Sequence, residues 1–278
     1  MESRRAKIIE GIFGMSLRFC SFASGSSGNC YLVKTDAAAM LVDAGISGIK
    51  ILGCLERSRT EPSDVKALLV THEHSDHISG VAGAMKKLPD LILHCTGETL
   101  YRMGVPAYEN RSRQVLHNEK FSVGDIEVET FPLSHDAADP VGYLISSEGK
   151  SLAIITDTGV FSEDILSCVA DADLMVIEAN HDVEMLRNGR YPPLLKQRIL
   201  SDQGHMSNVE AGEAIIRIMA MDRKPRCFLL GHLSRENNSP GLAKQTVAAM
   251  LSEMDYYSGR DLYLATIKRD KMSPIFEI

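Results

Sequence analysis

The sequence predicts an α/β fold in which two sheets pack against each other beneath covering helices. Three observations carry that expectation. Strand-like apolar runs come first as a group and then alternate with helical spacing, and the same order returns in the second half of the chain. No repeat, low-complexity tract or long linker interrupts the 278 residues, so one compact domain is expected over 15–278. Ligand-type side chains stand where apolar runs stop, as they would in a site built on rigid strand ends.

In order, Leu17–Phe22 and Cys30–Val33 read as strands joined by the turn Ala23-Ser24-Gly25-Ser26-Ser27-Gly28-Asn29, whose Gly and Asn suit positive φ angles. These glycines follow neither phosphate-loop order, so a hairpin turn is favoured over a phosphate cradle. Met40–Asp43 is a third strand. Helical spacing follows at Gly48–Leu55, with a short turn at Pro62-Ser63-Asp64. Ala67–Val70 is a buried strand and Ile78–Lys87 a helix. Leu91–Cys95 is strand-like, Gly97–Met103 helical, and Ile126–Phe131 alternates as a half-buried strand. Val141–Ser146 and Ser151–Thr156 pair as a hairpin across Ser147-Glu148-Gly149-Lys150. Phe161–Val169 is helical and Leu174–Ile177 a strand. Helix Asn208–Ala220, capped by Ser207 or Asn208, strand Cys227–Leu230, helix Pro240–Ser252 and strand Leu262–Ile267 complete the chain.

Composition narrows the function classes. At 44% hydrophobic residues the chain buries a large core, and no apolar run approaches the roughly 20 residues of a membrane span. Arg4, Arg5 and Lys7 precede only a short apolar stretch containing Glu10, a poor secretory signal. Met15 could equally be the start, which makes 1–14 a loose N-terminal extension; a cytoplasmic protein is expected. Six scattered cysteines without a C-x-x-C pair argue against a disulfide framework or a thiolate zinc site. The net charge of −7 argues against a broadly basic nucleic-acid surface, so any nucleic acid must be met through local patches or through metals.

The sharpest signal is Thr71-His72-Glu73-His74-Ser75-Asp76-His77, directly after the apolar run. Imidazole and carboxylate are the donors that zinc-like ions prefer. With nine histidines in the chain, H-x-H-x-D-H should arise by chance in fewer than about one such chain in a thousand. A solvated polar loop is the bland alternative. Further candidates end other apolar runs: His135 after Phe131–Leu133, Asp157 after Leu152–Thr156, Glu178-Ala179-Asn180-His181 after Leu174–Ile177, and His232 after Cys227–Leu230. His205 precedes a helix. His94 and His117 have no such setting and read as structural. Asp43 reads as a turn former or as an acceptor that orients ligands.

The order H-x-H-x-D-H, His135, Asp157 within Thr156-Asp157-Thr158-Gly159, and His232 resembles the metallo-β-lactamase superfamily across most of the chain. That resemblance implies an αββα four-layer sandwich with a dinuclear site at one edge of the sheets. Gly25–Val33, Glu178–Asp182, Gly204–Asn208 and Leu230–Ser234 are similar to its YycJ/WalJ-like branch, regarded as metal-dependent exonucleases acting on DNA. The resemblance implies that His72, His74 and His135 bind one metal, that Asp76, His77 and His232 bind the other, and that Asp157 bridges them. Zinc or manganese is expected, and iron would also be accepted. A hydroxide shared by the metals would attack phosphorus, with Asp76 both ligand and orienting group. His205 is the candidate to protonate the leaving 3′-oxygen, against a helix-capping residue that touches no substrate.

His181, Asn208 and Ser234 are candidate substrate contacts, with simple packing as the alternative for His181. The acid-free stretch Leu186–Arg198, with Arg187, Arg190, Lys196 and Arg198, could track a phosphate backbone, with Tyr191 stacking a base. The spacing from Asp157 to His232 leaves no room for a β-CASP domain, and no long transfer-RNA arm is evident, which favours a small or single-stranded substrate. The expected function is a two-metal 5′-to-3′ exonuclease on single-stranded DNA with a role in repair. The alternatives are a small-molecule hydrolase such as a cyclic-nucleotide phosphodiesterase, a thioester or β-lactam hydrolase, or a non-catalytic protein on the same fold.

Overall fold

The computed structural model describes residues 17–104 and 110–278; the N-terminal extension 1–14 lies outside them. The first half contains β1 (Arg18–Ala23), β2 (Cys30–Lys34), β3 (Ala39–Val42), α1 (Gly48–Arg57), a 3₁₀ turn (Pro62–Asp64), β4 (Val65–Leu69), α2 (Ser75–Ile78), α3 (Val81–Lys87), β5 (Ile92–Cys95), α4 (Gly97–Arg102) and β6 (Ser112–Gln114). The second half contains β7 (Lys120–Val123), β8 (Ile126–Pro132), β9 (Val141–Ser147), β10 (Lys150–Ile155), α5 (Glu163–Val169), β11 (Leu174–Glu178), α6 (Val183–Asn188), α7 (Pro193–Ile199), α8 (Asn208–Met221), β12 (Arg226–Gly231), α9 (Pro240–Glu253), β13 (Leu262–Thr266) and β14 (Phe276–Glu277).

Two sheets result, in the orders β14-β1-β2-β3-β4-β5-β6 and β13-β12-β11-β10-β9-β8-β7. Each begins as an antiparallel meander and becomes parallel, at β3/β4 in one and at β10/β11 in the other. The two halves therefore share one architecture without sharing a sequence repeat. Parallel strands need crossover helices, which is why helices enter only in the later part of each half.

Side-chain alternation sorts the layers. In β4 and the residue after it, Ala67 and Leu69 face the second sheet, packing with Tyr143, Ile154 and Val176, while Leu68 and Val70 pack outward with Ile51, Leu55 and Val81. On the far side Ile155, Ile177 and Leu230 pack against Ile215, Ile218 and Val247 of α8 and α9. These are the four layers of an αββα sandwich, as expected. Both faces of the central strands are covered, so they read as continuous apolar runs rather than alternating ones.

Three differences from the sequence reading have physical causes. The helix expected over Ile78–Lys87 is two helices broken at Gly80, where the chain presses on the β3–α1 loop. The Gly80 N–H donates to the Ala44 carbonyl at 2.7 Å, and a Cβ there would lie 1.8 Å from the Ile46 carbonyl oxygen. β6, β7 and β14 were not anticipated; each is the last strand of its sheet, where one neighbour's backbone suffices and apolar alternation is not required. The short helices α6 and α7 lie in a stretch read mainly for its charge. By contrast the hairpin β9–β10 forms as read, with Ser147 paired to Lys150 and a two-residue turn at Glu148-Gly149 whose φ angles of 49° and 76° suit it.

One buried hydrogen bond ties the second sheet to the end of β4: the Tyr143 hydroxyl donates to the Val70 carbonyl at 2.8 Å. Tyr143→Phe keeps the packing and strands that carbonyl, so it should lower stability by about 1–2 kcal/mol in urea denaturation without a change in m value.

Candidate metal centre

Strand ends bring the candidate residues to one edge of both sheets. β4 runs into His72, β8 into His135, β10 into Asp157 and β12 into His232. The α2 turn then carries Asp76 and His77 back toward the same point. His72, His74 and His135 form one group whose donor atoms lie within 4.8 Å of one another, and Asp76, His77 and His232 form a second. Asp157 stands between them, sharing a group with His72 and His77 and another with Glu178, His205 and His232. Its carboxylate is 3.1 Å from His77 Nε2 and 3.3 Å from His232 Nδ1.

The imidazoles are oriented from behind. His77 Nδ1 donates to Asp43 at 2.8 Å, and the same carboxylate accepts from the Thr71 backbone N–H at 2.9 Å. Asp43 thus holds both ends of the His72–His77 loop, in line with its expected orienting role. His135 Nδ1 donates to the Gly204 carbonyl at 3.0 Å. Fixing one ring nitrogen by a hydrogen bond leaves the other as the donor toward an ion. Asn29 adds a brace: its N–H donates to the Asp76 carbonyl at 2.7 Å and its amide lies 3.0 Å from His77 Nε2. Asp43, Asp157 and His232 all adopt positive φ, at 57°, 62° and 52°. Such a cluster of unfavourable backbone angles marks a site held in place by its surroundings.

Glu178, which the sequence marks only as the first residue of the strand-end segment Glu178–His181 and gives no role, is a site residue. Fully buried, it accepts from His205 Nδ1 and His232 Nδ1, each at 2.8 Å, and from the Thr158 N–H at 2.9 Å. Its signal was available: a carboxylate that closes the apolar run Leu174–Ile177. Burial alone would raise its pKa, but the adjacent imidazoliums bring it down to about 2. Burial likewise opposes charge on His232, yet Asp157, Asp76 and Glu178 lift it to about 10. His77 is also lowered by burial and raised well above its ordinary value by Asp157 and Asp43. In Asp157 burial is overcome by His232 and His77, and its pKa falls well below the usual carboxylate range.

The residues fit divalent cations. His72 Nε2 is buried without a hydrogen-bond partner, in a cluster whose other donor atoms lie close to one another. Orphaned buried polar atoms of this kind call for an ion. The donors are imidazole and carboxylate, the chemistry of zinc, manganese and iron sites.

The remaining candidates are placed as follows. His205 adjoins the cluster with its side chain 18% exposed, more open than His77, His135 or His232. His181 is buried, its backbone bridged to Ser207, and neither ring nitrogen has a partner. Asn208 is buried and its amide exchanges two hydrogen bonds with Asn238, so its visible task is to seat the start of α8. Ser234 Oγ accepts from the Asn237 N–H at 3.2 Å. His94 stacks on Phe121 and His117 pairs with Asp139, both apart from the cluster. In the basic stretch Leu186–Arg198 three of the four cations have partners. Arg187 pairs with Glu184, Lys196 donates to the Arg187 carbonyl, and Arg198 pairs with Asp136. The stretch itself is free of acids, but the fold supplies them from outside it.

Sandwich and cluster together define a metallo-β-lactamase-fold protein, and residues 39–232 match the family model described as beta-lactamase superfamily domain; the chain belongs to that superfamily. Within it the chain falls in the WalJ/YycJ-like branch. It is 39% identical over 269 residues to exodeoxyribonuclease WalJ of Streptococcus pneumoniae serotype 2 (strain D39 / NCTC 7466), covering 95% of this chain and 99% of the relative. It is 40% identical over 253 residues to exodeoxyribonuclease YycJ of Bacillus anthracis, covering 88% and 93%. The metallo-beta-lactamase fold protein YhfI from Bacillus subtilis superposes with a TM-score of 0.72 at 15% identity, over 95% of this chain and 100% of that one. Among the described residues no helix is long and apolar enough to cross a membrane.

Ligands must shed protons to bind an ion, and His232 holds its proton up to about pH 10 in the metal-free cluster. Metal uptake at neutral pH should therefore release at least one proton per site pair. Apparent affinity should fall about tenfold per unit as pH drops below 7, as calorimetry in buffers of different ionisation enthalpy would measure. Glu178→Gln should weaken binding by about 10–100-fold, checked by metal content after dialysis.

Proposed function

We propose that the protein is a two-metal phosphodiesterase working as an exonuclease on DNA, taking single strands from the 5′ end. The observation that carries the reading is the near-full-length identity of 39–40% to chains named exodeoxyribonuclease, in a protein whose His/Asp cluster is complete. Residues 15–278 would act as one hydrolase domain. His72, His74 and His135 would hold one ion, and Asp76, His77 and His232 the other, with Asp157 shared; zinc or manganese suits the donors, and iron is also compatible. Bound there, divalent ions lower the pKa of water toward neutrality and offset charge on the phosphate oxygens.

The chain's own residues account for the rest. Asp43, Asn29 and Glu178 fix the imidazoles, so the site needs little rearrangement when charge develops. Hydrolysis forms a bond from water oxygen to phosphorus and breaks the bond to the 3′-oxygen, which must gain a proton. His205 is placed to supply it. Its Nδ1 is engaged by Glu178, leaving Nε2 on the more open side of the ring. Burial lowers the His205 pKa, but the Glu178 and Asp157 charges raise it above the ordinary value, which keeps the acid form populated near neutrality. His181, with both nitrogens free beside this group, remains a substrate-contact candidate. Asn208 and Ser234 would shape the wall that carries it.

Purified protein with manganese or zinc should release nucleotides from single-stranded DNA labelled at its 5′ end, in parallel with 3′-labelled DNA, RNA and a chromogenic phosphodiester. Hydrolysis of the small diester with none of either nucleic acid would leave the small-molecule phosphodiesterase instead. Asp76→Ala should abolish activity. His205→Ala should cost about 10²–10⁴-fold in kcat and remove the alkaline limb of the pH profile.

A further inference from the structure

A groove of about 550 Å³ lies between the β1–β2 turn, α1 and the segment after β13. Lys50, Arg57, Arg269 and Lys271 line it, against the single carboxylate of Asp270. In a chain of net charge −7 this is a pronounced local reversal. Among the described residues none of these four cations forms an ion pair, whereas Arg187 and Arg198 of the stretch singled out by sequence are both paired. Unpaired, clustered cations in an acidic protein are the electrostatic footprint of a polyanion.

Residues that line the groove are neighbours of those that build the metal centre. Gly28 lines it, and the next residue, Asn29, holds Asp76 and His77. Arg269 donates to the Leu233 carbonyl, one residue past His232, and lies across Gly25, where a Cβ would come within 3.0 Å of its guanidinium. Along α1, Lys50, Gly53, Cys54 and Arg57 share one face, at the i, i+3, i+4, i+7 spacing of a helical stripe. Gly53 leaves the space above that face open. The two cations stand about 10 Å apart along the axis, which suits successive charges of a strand better than one isolated phosphate. Arg235, Asp270 and Tyr191 are close enough to Arg269 to act on its charge.

We propose that this groove is the track for the nucleic-acid strand attached to the scissile nucleotide, with Lys50, Arg57 and Lys271 meeting successive backbone phosphates. The assignment rests on the nuclease reading and names where its substrate lies. It also explains how an overall acidic protein meets DNA: through one channel rather than a broad basic face.

The test is the triple variant Lys50→Ala, Arg57→Ala, Lys271→Ala, compared with Lys50→Arg, Arg57→Lys, Lys271→Arg, in the full chain loaded with manganese. Binding of a fluorescent single-stranded oligonucleotide should weaken about tenfold or more at low salt in the alanine variant. The slope of log affinity against log salt should become shallower by about 2, from roughly 0.7 per lost phosphate contact. The charge-keeping variant should restore both. The loss of kcat/KM on DNA should exceed that on a chromogenic phosphodiester by about tenfold, an asymmetry that mere misfolding would not produce. Unchanged affinity and salt slope in the alanine variant, with wild type binding and cutting DNA, would overturn the groove alone. A wild-type chain that neither binds nor cuts DNA removes the nuclease reading and the track with it. Competition by a mononucleotide or inorganic phosphate as tight as by the oligonucleotide would make the groove a single-phosphate site and overturn the strand track.

Discussion

Asp157 sits 2% exposed at the centre of the molecule's chemistry, its oxygens 3.1 Å from His77 Nε2 and 3.3 Å from His232 Nδ1. A carboxylate taken out of water costs several kcal/mol unless positive charge meets it. The surrounding structure supplies that charge in one of two forms, as protons on His77 and His232 or as cations held by the same donors. The depressed pKa of Asp157 and the raised values of His77 and His232 are one fact seen from several residues. Asp43 and Glu178 extend the alternation of sign outward by a further layer. Each is fully buried and each anchors the Nδ1 of a histidine that faces Asp157.

The architecture follows from delivering these groups to one point. Each half of the chain builds a sheet that turns from antiparallel to parallel, so successive parallel strands end on the same side. β4 of one sheet and β10 and β12 of the other stop at that edge, and the shared core between the sheets keeps their ends in register. Positive φ at Asp43, Asp157 and His232 is tolerated because strand, loop and hydrogen bonds all constrain those residues at once. Gly45 serves the same end: a Cβ there would lie 1.6 Å from the Asp76 carbonyl oxygen, so only glycine lets the β3 loop close on the α2 turn.

Charge outside the centre is distributed by the same logic. Most cations near the site are spent on local acids, such as Arg198 on Asp136, and add little attraction for an anion. Among the described residues the four cations that line the groove beside α1 form no ion pair. Proximity in sequence was a poor guide to that distinction, because a cation's partner is set by the fold.

How much was legible follows from how local each signal is. The donor side chains of the His72–His77 loop, and His135, Asp157 and His232 at the ends of apolar runs, stand out because a strand end and a donor side chain are adjacent in the chain. The layers of the sandwich could be read for the same reason, from apolar runs and helical spacing. Edge strands such as β6 and β14 could not, since they are defined by a neighbour's backbone rather than by their own side chains. Glu178 was visible as a residue but not as a partner of two histidines 27 and 54 positions away. The groove joins Lys50 and Arg57 to Lys271 across most of the chain's length. Sequence alone therefore determined which chemistry this protein carries, because donor type and strand position are local properties. Tertiary structure decided which donors share an ion-sized space, which charges pair, and which cations line one groove, because each of these is a distance between remote parts of the chain.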